Sequence, residues 1–188
     1  MTTHPELYIL RHGQTRWNAE GRMQGWLDSP LTDEGLRQAE RQRQILQERD
    51  LDGFTAVSSP LGRAIQTAGI AVAPLIGAVR TDDRLREIGV GDWSGRLRRD
   101  LPEYEDAPDL LIAQYDRAPG GEGLAALRTR ATAFLSDLTG PAVLVTHGIT
   151  SRMIRAVLLG DHVLDLMSAN GGQGVVWHVK DGGQSLLH

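Results

Sequence analysis

In LYILRHGQTRWN, residues 7–18, an apolar run passes straight into Arg11, His12 and Gly13. His147 and Gly148 follow AVLVT, residues 142–146, in the same way, and Arg63 comes shortly after FTAVSS, residues 54–59. If these apolar runs are strands of one parallel sheet, their carboxyl ends share a rim, which is where open α/β sheets bind ligands. No carboxylate within these three motifs neutralises the cations, so the rim asks for an anion. Arginine presents a planar fork of donors that matches phosphate oxygens, and it stays charged at any working pH. Several donor side chains around one centre suit phosphate better than carboxylate. A neutral imidazole in such a cluster can attack phosphorus and form a phosphohistidine, splitting one hard displacement into two. The arginines and the second histidine would then stabilise charge on the equatorial oxygens. The leaving alkoxide needs an acid, and Glu87 in RLREIGVGDWSG, residues 84–95, is the natural candidate. Asp82, Asp83 and Asp92 are its rivals, and Arg84 and Arg86 lie close enough to make Glu87 a solvated ion pair instead.

The elements that must position these groups are legible as hydrophobic periodicity. Short apolar runs at 6–11, 54–58, 142–146 and 174–179, with a weaker one at 76–80, read as strands. Residues 60–73 place Leu61, Ala64, Ile65, Ala68 and Val72 on one helical face, with Ser59 as its cap and Pro60 in the first turn. The open amides of that first turn would add to the phosphate site beside Arg63. Residues 122–138 and 148–159 are helical by the same pattern, and Thr32, followed by Asp33 and Glu34, starts another helix. Strands alternating with helices predict an α/β fold: a three-layer α/β/α sandwich with a mostly parallel central sheet, in one domain spanning 1–188. Residues 81–121 read as a long, Gly-rich loop region, which in a compact domain is often functional.

The segments LRHGQTRWN, RMQGWLDSPLTDEG, SSPLGRAIQTA, LREIGVGDWSG and VTHG, taken together and in this order, resemble the histidine phosphatase superfamily, in its phosphoglycerate mutase-like branch. The likeness runs through most of the chain. It implies a phosphoglycerate mutase-like fold with His12 as the phosphorylated nucleophile. It also implies a phosphate pocket of Arg11, Arg63 and His147 with Gly148 beside it, and Glu87 as proton donor. Asn18, Gln24 and Gly25 would touch the phosphate or the substrate beyond it. In PGGEG, residues 119–123, Gly123 stands where many relatives carry a serine after Gly-Glu, and Glu122 is a further candidate to face the site.

The same centre serves a hydrolase or a mutase. A mutase must shield its phosphohistidine from water and hold a substrate carboxylate. Here only a short stretch separates Gly95 from Gly120, and YEDAPD makes part of it acidic, which favours hydrolysis; Arg96, Arg98 and Arg99 are the counter-evidence. A non-catalytic phosphate-binding or interaction module is the other alternative, because a fold alone does not establish activity.

Composition narrows the partners. The chain of 188 residues has a formal net charge of −4, so a nucleic-acid backbone or an anionic membrane is not expected as its main partner. It contains no cysteine, which rules out disulfides and thiolate metal sites, and no apolar run approaches the ~20 residues of a membrane helix. With no signal-peptide pattern at the N-terminus, a cytoplasmic protein is expected. His4, His162, His178 and His188 show no metal-ligand spacing, and neither metal nor cofactor is expected. The expected partner is a small phosphorylated metabolite; a homodimer is compatible with the sequence. Trp17, Trp26 and Trp93 flank the motifs, either anchoring loops to the core or forming an apolar wall over the phosphate pocket.

Overall fold

The structure, a computed structural model, describes residues 4–102, 113–160 and 172–188. The acidic stretch at 104–109 and His162 lie outside the described residues. Six strands form one sheet in the order β3-β2-β4-β1-β5-β6. These are β1 (Leu7–Arg11), β2 (Thr55–Ser58), β3 (Val79–Thr81), β4 (Ala142–Thr146), β5 (Val176–Lys180) and β6 (Gly183–Leu187). β3, β2, β4 and β1 run parallel, and β5 and β6 continue the sheet antiparallel.

Alternation along the strands makes the three layers. Leu7 and Ile9 of β1, with Val57, Leu144 and Trp177, pack against α5 (Leu124–Ser136) and α6 (Gly148–Leu159). Tyr8 and Leu10, with Ala56, Val143, Val145 and Val176, pack on the opposite face against α2 (Asp33–Gln47) and α3 (Gly62–Ala71). The central strands are buried on both faces, as parallel sheets covered by crossover helices require. The predicted fold class is the observed one. No helix among the described residues is long and apolar enough to cross a membrane.

Three local expectations change. The run at 76–80 splits into a short helix, α4 (Ala73–Ile76), and β3. β6 was not anticipated: GQSLL lacks β-branched residues, and its pairing with β5 is set by a tight turn in which Asp181 and Gly182 both take positive φ. The helix predicted from 60 begins at Gly62, with Leu61 at its cap position. Its Ile65 is exposed, because the face that buries Ala64, Ala68 and Ala71 is narrower than the periodicity suggested.

Gly13 answers the question of why a residue without a side chain follows His12. A β-carbon on Gly13 would lie 2.2 Å from the Gly35 carbonyl oxygen, and one on Gly35 would lie 2.1 Å from that of Gln14. The loop after β1 and the first turn of α2 meet backbone to backbone, with Thr32 capping that turn through Gly35 N. The Gly13 amide donates to Thr67 Oγ1 on α3 at 3.1 Å, fixing the loop from the other side. Gly13→Ala is therefore expected to cost about 3 kcal/mol in urea unfolding, the upper end for overpacking. A loss below about 1 kcal/mol would show that the loop can move away from α2.

Candidate active site

Strand register brings the predicted site together. Arg11 of β1 pairs with Thr146 of β4, and His12 N donates to Thr146 O at 3.0 Å. The residues that follow, His12 and His147, are consequently neighbours, their ring centroids 5.1 Å apart. β2 lies on the other side of β4, with Ser59 N donating to Val145 O, so α3 starts from the same rim and delivers Arg63. Arg63 Nε donates to His12 Nε2 at 3.3 Å.

The bonds around His12 select its tautomer. Nδ1 lies 2.7 Å from Gly13 O, which can only accept, so Nδ1 carries the proton and Nε2 keeps a lone pair. The Arg63 donor at Nε2 requires the same arrangement. Burial lowers the His12 pKa well below its ordinary value, with further lowering from Arg63 and Arg11; the Gly13 bond acts in the opposite direction. His147 is lowered likewise, by burial first and then by Arg63, His12, Arg11 and Arg130. Its Nε2 lies 2.7 Å from Ser59 Oγ, and its buried Nδ1 has no hydrogen-bond partner among the described residues.

A pH dependence follows. Below pH ~6.5 the unfolded chain binds protons at both histidines while the folded protein does not, so acidification favours unfolding by up to ~1.4 kcal/mol per pH unit for each ring. The thermal midpoint should fall between pH 7 and pH 5, and fall less steeply in His12→Gln. Equal slopes in the two proteins would contradict neutral, buried His12.

Arg63 is held more firmly than its helix position suggested. Nη1 donates to Leu27 O and Asp28 Oδ1, both at 2.7 Å, and Nη2 to Gly25 O at 2.8 Å. Asp28 also accepts from Gly62 N at 2.6 Å and Arg63 N at 3.3 Å. Two expectations are corrected here. Ser59 does not cap α3, since a carboxylate from a distant loop does so, and the first-turn amides of Gly62 and Arg63 serve Asp28 rather than an anion. Asp28, which lies outside the three motifs, neutralises Arg63. A cation buried to 2 % exposure needs a partner, and the motifs around it could not reveal one 35 residues away.

Glu87 stands across the same cavity, at the N-terminus of α6. Its Oε1 accepts from Ile88 N at 3.0 Å and Thr150 N at 3.1 Å, and its Oε2 from Ile149 N at 3.2 Å. Arg11, half-buried at the end of β1, packs its guanidinium on Gly148, where a β-carbon would come within 3.4 Å of Arg11 Cζ. Burial lowers the Arg11 pKa, and the charge of Glu87 opposes that lowering.

One cavity of about 110 Å³ unites these groups, lined by Arg11, His12, Asn18, Gln24, Gly25, Arg63, Glu87 and Gly148 from the predicted set. His147 is fully buried behind this lining, against Ser59 and the His12 ring. The Asn18 Oδ1 is occupied by Thr15 N, in the capping box of α1 (Arg16–Glu20), and by Gln173 Nε2, which leaves its amide N–H groups to donate. Gln24 is buried in the lining with an unpartnered Oε1.

Sequence reasoning missed Arg22, Tyr115 and Arg152 in the lining and counted Arg98 only as evidence about a cover. Arg152 was detectable, four residues after Gly148 and therefore on the same helical face. Glu122 does not join the site: it pairs with Arg130 and accepts from Gly89 N at 3.1 Å. The tryptophans form no wall over the cavity. Trp93 is in the core, Trp26 is half exposed with its indole N–H on Glu87 O at 2.8 Å, and Trp17 packs on Gly95.

The sequence profile of the histidine phosphatase superfamily (branch 1) matches residues 7–183. This chain belongs to that superfamily. A curated relative named "Probable phosphoglycerate mutase GpmB", from Salmonella paratyphi C, is 36% identical over 163 residues, covering 82% of this chain and 75% of the relative. Among solved structures, TTHB049 from Thermus thermophilus superposes with a TM-score of 0.75 at 34% identity, covering 97% of this chain and 98% of that one. A protein from Escherichia coli K-12 described as a candidate alpha-ribazole-5'-P phosphatase superposes with a TM-score of 0.76 at 27% identity, covering 97% of this chain and 94% of that one. As a histidine phosphatase superfamily member, the chain has its paired histidines and arginines on the rim of the sheet where β2, β4 and β1 end side by side.

Proposed function

We propose that the protein is a metal-independent phosphomonoester hydrolase that acts on a small phosphorylated metabolite through a phosphohistidine. The observation that carries this reading is the Nε2 lone pair of a buried, neutral His12, set within one cavity with Arg11, Arg63 and Glu87. Nε2 attacks phosphorus as the ester P–O bond breaks, and a protonated Glu87 gives its proton to the departing alkoxide. Arg11, Arg63 and Asn18 donate to the phosphoryl oxygens, the arginines supplying the positive charge that the transition state needs, and His147 backs the His12 ring from behind the lining. The Glu87 carboxylate then takes a proton from water, whose oxygen displaces His12 and releases inorganic phosphate. The cavity of about 110 Å³ is small beside the roughly 300–1,000 Å³ of sites for drug-sized ligands, which suits a compact substrate.

The lining also supports a second reading. Five arginines, Arg11, Arg22, Arg63, Arg98 and Arg152, face this cavity with Glu87 as the carboxylate of the lining. Even with Arg63 paired to Asp28, a phosphate dianion and Glu87 leave positive charge over, so a second anionic group on the substrate is accommodated. That is what a mutase acting on a phosphorylated acid needs. A panel of sugar, nucleoside, aryl and carboxylic-acid phosphates, assayed for free phosphate, tests the hydrolase. Conversion of 3-phosphoglycerate to 2-phosphoglycerate without phosphate release would replace it with the mutase. No turnover of any ester, with phosphate still bound, would leave a binding module.

A further inference from the structure

We infer that Thr150 is a positioning residue for Glu87: its buried hydroxyl donates to the Arg86 carbonyl and rests against the Glu87 carboxyl, fixing the orientation in which that carboxyl meets the substrate. The inference rests on Glu87 being the proton donor of the proposed reaction.

Thr150 is fully buried on the first turn of α6. Its Oγ1 lies 2.7 Å from Arg86 O and 3.1 Å from Glu87 Oε1. Oε1 accepts from the Ile88 and Thr150 amides and Oε2 from the Ile149 amide, while the Thr150 hydroxyl, whose one proton goes to the closer Arg86 O, rests against Oε1. A carboxyl proton avoids the oxygen towards which two donors already point, so it rides on Oε2. That oxygen is the one with capacity left to serve a leaving group.

The hydroxyl also acts on the backbone. By holding Arg86 O it sets the peptide plane from which the Glu87 side chain departs, and it does so from the helix that begins at Gly148 in the phosphate cavity. Acid and phosphate site are thus referenced to one rigid element. The remaining partners of Glu87 come from main-chain amides or, at its carbonyl, from Trp26 and Arg130. Thr150 is the side chain that reaches both the Arg86 carbonyl and the Glu87 carboxyl. Periodicity placed this position on a helix with an apolar face, and a hydroxyl there has no packing rationale.

The leaving group separates positioning of an acid from a structural role. An alkyl phosphate needs its leaving oxygen protonated, and p-nitrophenyl phosphate does not. The ratio kcat/KM reports on the steps through phosphoryl transfer to His12 and is insensitive to later hydrolysis. Thr150→Val is expected to lower kcat/KM about 10-fold for an alkyl phosphate and less than about 2-fold for p-nitrophenyl phosphate, a fraction of the 10²–10⁴ that a general acid supplies. Thr150→Ala should show the same selectivity should the valine variant fold poorly, and Thr150→Ser should restore the alkyl rate. Equal losses for both esters, no loss in folded Val and Ala variants, or no rescue by serine would overturn the inference. Glu87→Gln is the separate control. If it fails to discriminate between the esters, the reading of Glu87 as acid is wrong. If it discriminates and the Thr150 variants do not, only the role of Thr150 falls.

Discussion

Replacing His12 by alanine is expected to reduce kcat/KM for every accepted ester by about 10⁴-fold or more, since it removes the atom that bonds to phosphorus. The folded state should survive. His12 costs stability by being held neutral and buried beside Arg63, and among the described residues its side chain hydrogen-bonds to its neighbour Gly13 and to Arg63. Turnover of a ³²P-labelled ester quenched in alkaline denaturant should leave base-stable, acid-labile label on the wild-type chain and none on His12→Ala. Label on another residue, or wild-type rates in the variant, would remove the basis of the proposed chemistry. Inorganic phosphate should still bind the variant, because Arg11, Arg63 and Asn18 remain in the lining.

Arg63→Lys should be nearly as damaging, with an expected loss of about 10³-fold in kcat/KM and a lower thermal midpoint. Lysine keeps the charge but not the planar fork, and Arg63 uses its nitrogens in different directions. Nη1 and Nη2 hold the 25–28 loop through Gly25 O, Leu27 O and Asp28, while Nε faces His12. An ammonium cannot satisfy those acceptors together, and each buried acceptor left without a donor costs about 1–3 kcal/mol. The loss of rate corresponds to about 4 kcal/mol of transition-state stabilisation. Rate loss with an unchanged midpoint would mean that the loop is held by other contacts. An unchanged rate would place Arg63 outside the reaction.

The site residues that could be read in advance were those attached directly to an element end. Arg11 and His12, His147 and Gly148, and Arg63 follow apolar runs whose burial on both faces dictates strands, and adjacent parallel strands deliver the residues after them to one place. Glu87 was found by its chemistry and by resemblance, not by periodicity, because it lies in a stretch with no regular repeat. Arg22, Arg98 and Tyr115 were missed for the same reason. Arg98 and Tyr115 sit in single helical turns, too short for a sequence period to assign a face.

The sequence by itself determined the layers of this protein, since two-residue and 3.6-residue apolar periods state which faces must leave water. It also determined the polar groups at the strand ends, since a strand cannot end without presenting the residue that follows. Only the tertiary structure decided which carboxylate neutralises Arg63, which glycine backbone Gly13 meets, and that Glu122 serves Arg130 rather than the cavity. These are contacts between residues far apart in the chain. Their energies depend on distances of a few ångströms that no local pattern encodes, and they exist only once the layers have closed.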